Sequence, residues 1–174
     1  SQKYVNRFDE MQIKNQGLLF YGSVGTGKTF MAACIANALL NKAIAVVMTS
    51  FVKILQNVQS FDDVTSEMKI MQALNRAKLL VLDDLGAERT TDYALEKVYN
   101  IVDSRYRAGK PMILTTNLSL AQMQAATDVR YARIYDRIFE VCYPVEFKGK
   151  SWRQKAAANR FDEMTDFFGG QNEN

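Results

Sequence analysis

Gly22-Ser23-Val24-Gly25-Thr26-Gly27-Lys28-Thr29 lies between a short apolar run at 18–21 and a segment, Lys28–Leu40, with apolar residues at helical spacing. The spacing is the full G-x-x-x-x-G-K-[ST] pattern, with a strand before it and a helix after it as the pattern requires. Its glycines let consecutive backbone N–H groups turn inward around an anion without Cβ clashes. The helix that follows aims the positive end of its dipole at the same anion. In such a loop Lys28 is a point charge for β- and γ-phosphates, and Thr29 an oxygen for Mg²⁺. The competing reading is a glycine turn that binds nothing.

The rest of the chain alternates strand and helix signals, the pattern of a parallel α/β sheet. Apolar strands are expected at 44–48, 79–82, 112–115 and 143–147, and helices at 51–58, 66–77, 91–108, 130–142 and 151–168. Asp83-Asp84 stops the third strand, Gly109 sits where a helix C′ glycine belongs, Ser119 caps a short helix, and Gly169-Gly170 ends the last one. The fold class expected is a P-loop NTPase, a central parallel sheet flanked by helices. A length of 174 residues suits one domain over 1–174 with a real core.

Composition excludes several function classes. Histidine is absent, which removes imidazole acid–base chemistry and most transition-metal sites. Cys34 and Cys142 have no zinc spacing, and Cys34, among Met31, Ala32, Ile35 and Ala38, reads as core. Apolar runs such as 79–82 are too short to span a bilayer and no secretion signal opens the chain, so no membrane partner and a cytoplasmic location are expected. The net charge of +3 permits nucleic acid without arguing for it. The chain opens on Ser1 rather than Met, as a cut chain or tag remnant does. Asn-Arg-Phe-Asp-Glu-Met occurs twice, at 6–11 and 159–164, and both copies fit a terminal amphipathic helix.

A P-loop alone does not separate kinases from GTPases or motor ATPases. Asp83-Asp84 at the end of an all-apolar strand narrows the choice. Asp83 can accept hydrogen bonds from Mg²⁺-bound water beside Thr29, and Asp84 can polarise an attacking water. Thr115-Thr116-Asn117 ends the next strand, where Asn117, both donor and acceptor, suits orienting that water. Arg130, Arg133 and Arg137 share one helical stripe. They fit equally a solvated face and an arginine finger reaching the nucleotide of an adjacent subunit. Arg153, just inside the last helix, is either a phosphate sensor or a surface arginine.

Gly-Ser-Val-Gly-Thr-Gly-Lys-Thr, Leu-Leu-Val-Leu-Asp-Asp-Leu-Gly-Ala-Glu, Thr-Thr-Asn and Arg-Ile-Tyr-Asp-Arg-Ile together resemble the ATPase domain of the DnaC/DnaI family of replicative helicase loaders, over about residues 15–155. The resemblance implies an AAA+ fold and Mg-ATP as cofactor; this chain departs from many AAA+ proteins in a C-terminal lid reduced to one helix. The resemblance also implies ATP-dependent homo-oligomers, single-stranded DNA as regulator and a replicative hexameric helicase as partner. By position, Asp83 and Asp84 match the Walker B pair and Asn117 the first sensor. Arg137 matches the arginine finger, with Arg133 beside it, and Arg153 resembles the second sensor. The family's helicase-binding segment is expected N-terminal to this chain. A DNA-facing helix is expected between Gly27 and Leu79, with Lys53 and Lys69 as its obvious cations apart from Arg76 and Lys78. Asp84 in place of glutamate has shorter reach and suggests slow, switch-like hydrolysis.

Three other functions fit part of this pattern: an IstB-type transposition helper ATPase, a small-molecule kinase, and a non-hydrolysing, ATP-gated DNA-binding module. A kinase leaves Asp83-Asp84 and Thr-Thr-Asn unexplained.

Overall fold

The computed structural model describes residues 1–60, 64–86 and 91–169. Five strands form one parallel sheet: β1 (Gly17–Tyr21), β2 (Val46–Ser50), β3 (Leu79–Leu85), β4 (Met112–Thr116) and β5 (Cys142–Glu146), in spatial order β2-β3-β4-β1-β5. Helices α1 (Gln2–Asn6), α2 (Phe8–Ile13) and α3 (Lys28–Leu40) precede β2. The others are α4 (Phe51–Ser60), α5 (Val64–Arg76), α6 (Asp92–Arg107), α7 (Leu120–Gln124), α8 (Val129–Val141) and α9 (Trp152–Gly169).

The period-2 geometry of the strands divides the core in two. Leu79, Val81, Ile113 and Phe20 face one side and pack with Ala32, Ile35 and Leu39 of α3 and with Tyr4, Val5 and Phe8. Leu80, Leu82, Leu114 and Leu19 face the other side, under α4, α6 and α8. A strand buried on both faces has no polar face, which is why 79–82 is uninterruptedly apolar.

Most expected boundaries fall within two residues of those found, the ordinary scatter of helix and strand ends. Thr91 caps α6 by accepting from the Ala94 amide, and Ser119 and Gln122 form a reciprocal capping box on α7. Gly109 closes α6 at φ 58°.

Four features differ from the sequence reading. β3 does not stop at Asp83 but continues to Leu85, with its pairing to β4 shifting register between Leu82 and Leu85. Cys34 is exposed, because the face of α3 turned to the sheet carries Ala32, Ile35, Ala36 and Leu39. Gly169 is the last residue of α9 rather than its terminator, and Gly170 lies outside the described residues, as do 61–63 and Ala87-Glu88. The repeated hexapeptide takes two environments. Its first copy is split between α1 and α2 at Arg7, with Phe8 only 2% exposed, whereas its second lies inside α9 with Phe161 74% exposed.

Arg105 is fully buried, and among the described residues no carboxylate pairs with it. Its guanidinium donates to the carbonyls of Leu74 (3.2 Å), Ala77 (2.8 Å), Lys78 (3.4 Å) and Pro111 (2.6 Å), tying α6 to the ends of α5, β3 and β4. Burial draws its pKa down to about 10. Arg105→Met would fill much of the volume but orphan these carbonyls, so a loss of roughly 2–4 kcal/mol is expected. Urea unfolding checks this as a lowered midpoint at unchanged slope.

Candidate functional site

The P-loop is the crossover from β1 to α3, and its shape is fixed by the segment that follows β5. Gly22 has φ 128°, and a Cβ there would stand 2.4 Å from the carbonyl oxygen of Phe147. Gly25 has φ 80°, and a Cβ there would stand 2.1 Å from Ser151 Oγ. Both positions therefore demand glycine for two reasons, conformation and space. The Thr26 hydroxyl donates to the Ser23 carbonyl at 2.8 Å and closes the loop on itself.

Lys28 is 5% exposed, and its ammonium donates to the carbonyls of Gly22 and Ser23, each at 2.7 Å. Burial lowers its pKa from the ordinary lysine value, while Asp84 and Asp83 pull upward and Arg153 pushes down. Asp83 joins three elements. Its Oδ1 accepts from the Thr29 hydroxyl of α3 at 2.8 Å and from the Thr115 hydroxyl of β4 at 2.6 Å. Thr115 Oγ1 in turn accepts from the Asp84 amide at 3.0 Å. Thr29 Oγ1 and the Asp83 carboxylate thus form a paired set of hard oxygen donors beside the cradle, a fit for Mg²⁺ held by few protein ligands and by phosphate.

Asp84 has φ 57°, inside the register shift of β3. A left-handed backbone at a non-glycine residue is uncommon, and Asp and Asn tolerate it best. The two consecutive carboxylates serve different ends. Asp83 points to Thr29, and Asp84 lines a cavity of about 640 Å³ over the P-loop. Lys28, Thr29, Asn117 and Arg153 line that same cavity.

The structure therefore brings the sequence-predicted residues from Gly25 to Thr29, with Val24, Asp84, Asn117 and Arg153, to one place, with Asp83 directly behind Thr29. Arg133 and Arg137 do not line it. Arg137, on α8, donates to Asp103 (2.7 Å) and to the Tyr99 hydroxyl (3.0 Å) of α6. Its guanidinium stacks over the Tyr99 ring at 4.9 Å and the Tyr106 ring at 5.7 Å. Arg130 pairs with Asp92 and with Asp128 (2.7 Å), which draws the Asp128 carboxyl down to about 2. Arg133 is exposed. Acids for this stripe come largely from α6, which spacing within α8 could not reveal.

Thr115 is the residue that sequence reasoning passed over. It is fully buried and fixes both Asp83 and the Asp84 amide. The available signal was a hydroxyl ending an otherwise apolar strand next to the strand of the two carboxylates.

The sequence model of the IstB-like ATP binding protein family matches residues 5–159. The replicative helicase loader DnaI of Bacillus subtilis (strain 168) is 32% identical over 153 residues, covering 80% of this chain and 48% of that protein. The replicative helicase loader DnaC of Escherichia coli (strain K12) is 29% identical over 140 residues, 79% of this chain and 55% of that protein. The chain thus spans about half the length of the curated relatives it matches. A crystal structure of the DnaC helicase loader superposes with a TM-score of 0.73 at 28% identity, over 84% of this chain and 85% of that one. The replication initiator DnaA bound to AMPPCP and single-stranded DNA shares the fold alone, with a TM-score of 0.68 at 20% identity, over 92% of this chain and 50% of that one. Among the described residues no helix is long and apolar enough to cross a membrane. The sheet order, the cradle at the end of β1 and the carboxylate pair at the end of β3 are those of an AAA+ P-loop fold, and the chain belongs to the IstB-like ATP binding protein family.

Proposed function

We propose that this chain is the Mg-ATP-hydrolysing AAA+ module of a replicative helicase loader, regulated by single-stranded DNA and assembling on ATP into a homo-oligomer. One observation carries the hydrolytic reading: Asp83 bonds both Thr29 and Thr115, while Asp84, Asn117 and Arg153 face a single cavity with Lys28. Backbone N–H groups of Gly25 to Thr29 and the Lys28 ammonium hold the phosphates. Mg²⁺, when bound, neutralises charge developing on the β- and γ-phosphates. Thr29 and Asp83 are the residues to hold it. Asp84 accepts the proton of the attacking water, Asn117 orients that water, and Arg153 senses the terminal phosphate.

The cavity lacks Arg133 and Arg137, so a neighbouring subunit would complete it, with Arg137 as the finger. Lys53 and Lys69, exposed on α4 and α5, are the cations for DNA. The short reach of Asp84 favours slow turnover, the behaviour of a switch; stimulated turnover of roughly tens per second, ordinary for an enzyme, would sink that part of the reading.

The helicase as partner rests on likeness to the two loaders, and the family itself favours a second reading, a transposition helper of the IstB type. ATP turnover measured with and without single-stranded DNA tests the enzyme, and stimulation is expected. Capture of a replicative hexameric helicase by the full-length protein supports the loader, and capture of a transposase supports the helper.

A further inference from the structure

Sheet order separates two kinds of residue around the P-loop. The loop leaves β1, with β4 and β3 on one side and β5 on the other. Asp84 and Asn117 enter the cavity from the β3 and β4 side, whereas Phe147, Trp152 and Arg153 enter it from the segment after β5, the arginine set about 100° around α9 from the tryptophan. A nucleoside triphosphate seated with its terminal phosphate toward Asp84 and Asn117 therefore has its nucleoside directed to the β5 side. The cavity also changes chemistry away from the carboxylates: Phe147 and Trp152 on the β5 side, with Phe30 and Met31 from the start of α3, offer flat or polarisable apolar surface, and their only strong side-chain hydrogen-bonding group is the indole N–H. Such a surface suits the face of a nucleobase and not a phosphate.

Trp152, the sole tryptophan of the chain, is 67% exposed yet firmly placed. Its backbone N–H donates to the Gly25 carbonyl at 3.0 Å, Ser151 packs on Gly25, and the Lys155 ammonium stands 5.6 Å from the ring centroid. The backbone that carries the indole is therefore tied to the phosphate cradle itself. Phe30, 72% exposed, occupies the first turn of α3 directly after Thr29 and lines the same cavity.

We propose that Trp152 is the nucleobase platform of this site, with Phe30 bounding the base from the α3 side. This rests on the cradle holding a nucleoside triphosphate. The platform acts on the base and not on the phosphates, so binding of ATP is compared with binding of inorganic tripolyphosphate by calorimetry. Trp152→Ala is expected to weaken ATP about tenfold, within the range of base–aromatic stacking, and to leave tripolyphosphate unchanged. Trp152→Phe should recover most of the loss. In the unsubstituted protein ATP should quench the tryptophan emission while tripolyphosphate does not, a readout independent of any variant's folding. Equal weakening of both ligands by Trp152→Ala, or unaltered ATP affinity, overturns the platform while leaving the cradle intact. If the unsubstituted protein binds neither ligand, or Lys28→Ala binds both as well as it does, the underlying nucleotide reading falls too.

Discussion

Asp84→Asn is expected to leave ATP affinity within about twofold of the unsubstituted protein and to slow hydrolysis by about 10²-fold or more, the range for loss of a general base. Asparagine is the informative replacement. At φ 57° a larger or β-branched residue would strain the backbone, and a loss of activity would then be ambiguous. Asn accepts that conformation, keeps the side-chain volume, and removes only the charge and basicity. The amide of residue 84 would still donate to Thr115, so Asp83 and Thr29 keep their places. Lys28→Ala, by contrast, removes the buried ammonium that spans the loop carbonyls, and should abolish ATP binding itself. Steady-state phosphate release and fluorescent-ATP titration separate the two variants. Asp84→Asn with full turnover would favour a non-hydrolysing, ATP-gated module instead.

The same backbone detail marks how far the sequence could be read. The glycines, Lys28 and Thr29 were legible because their spacing and both flanking elements are local. The buried strand at 79–82 was legible because a strand covered on both faces admits no polar residue. The separate parts expected of Asp83 and Asp84 were legible from their place at a strand end, but the left-handed backbone of Asp84 and the register shift against β4 were not, because no local pattern encodes them. Thr115 was hidden for a related reason: a threonine in a strand is ordinary by propensity, and only its neighbours across the sheet give it a role. Arg105 escaped because a buried arginine held by four carbonyls looks, on helical spacing, like a solvated residue at the edge of the apolar stripe. Cys34 erred in the opposite direction. Apolar neighbours on both sides suggested burial, although the face of α3 turned to the sheet passes it by.

Arg137→Ala is expected to lower ATP turnover about 10³-fold, the low end of what an arginine finger contributes to phosphoryl transfer, with ATP affinity little changed. The residue lies off its own chain's cavity and is held by Asp103 and Tyr99, so two explanations of such a loss must be told apart. If Arg137 acts on a neighbour's nucleotide, mixing Arg137→Ala with Lys28→Ala should restore part of the activity. The first variant keeps an intact P-loop, and the second brings an intact arginine to it. If Arg137 is only a strut between α6 and α8, neither protein can repair the other and mixing restores nothing. Asp103→Ala sharpens the distinction, because it removes the strut's charged acceptor and leaves the guanidinium held only by the Arg133 carbonyl, the Tyr99 hydroxyl and the two rings. A finger freed in this way should keep substantial turnover, whereas a strut broken from the Asp103 side should lose activity as well. The pair stands 2.7 Å apart with the Arg137 and Asp103 side chains only 21% and 15% exposed, so its loss should register in thermal unfolding whichever role holds. Only rescue on mixing is particular to a site shared between subunits. Its absence in a protein that also stays monomeric with ATP would count against the oligomeric site and leave the intrachain cavity as the whole of the catalytic machinery.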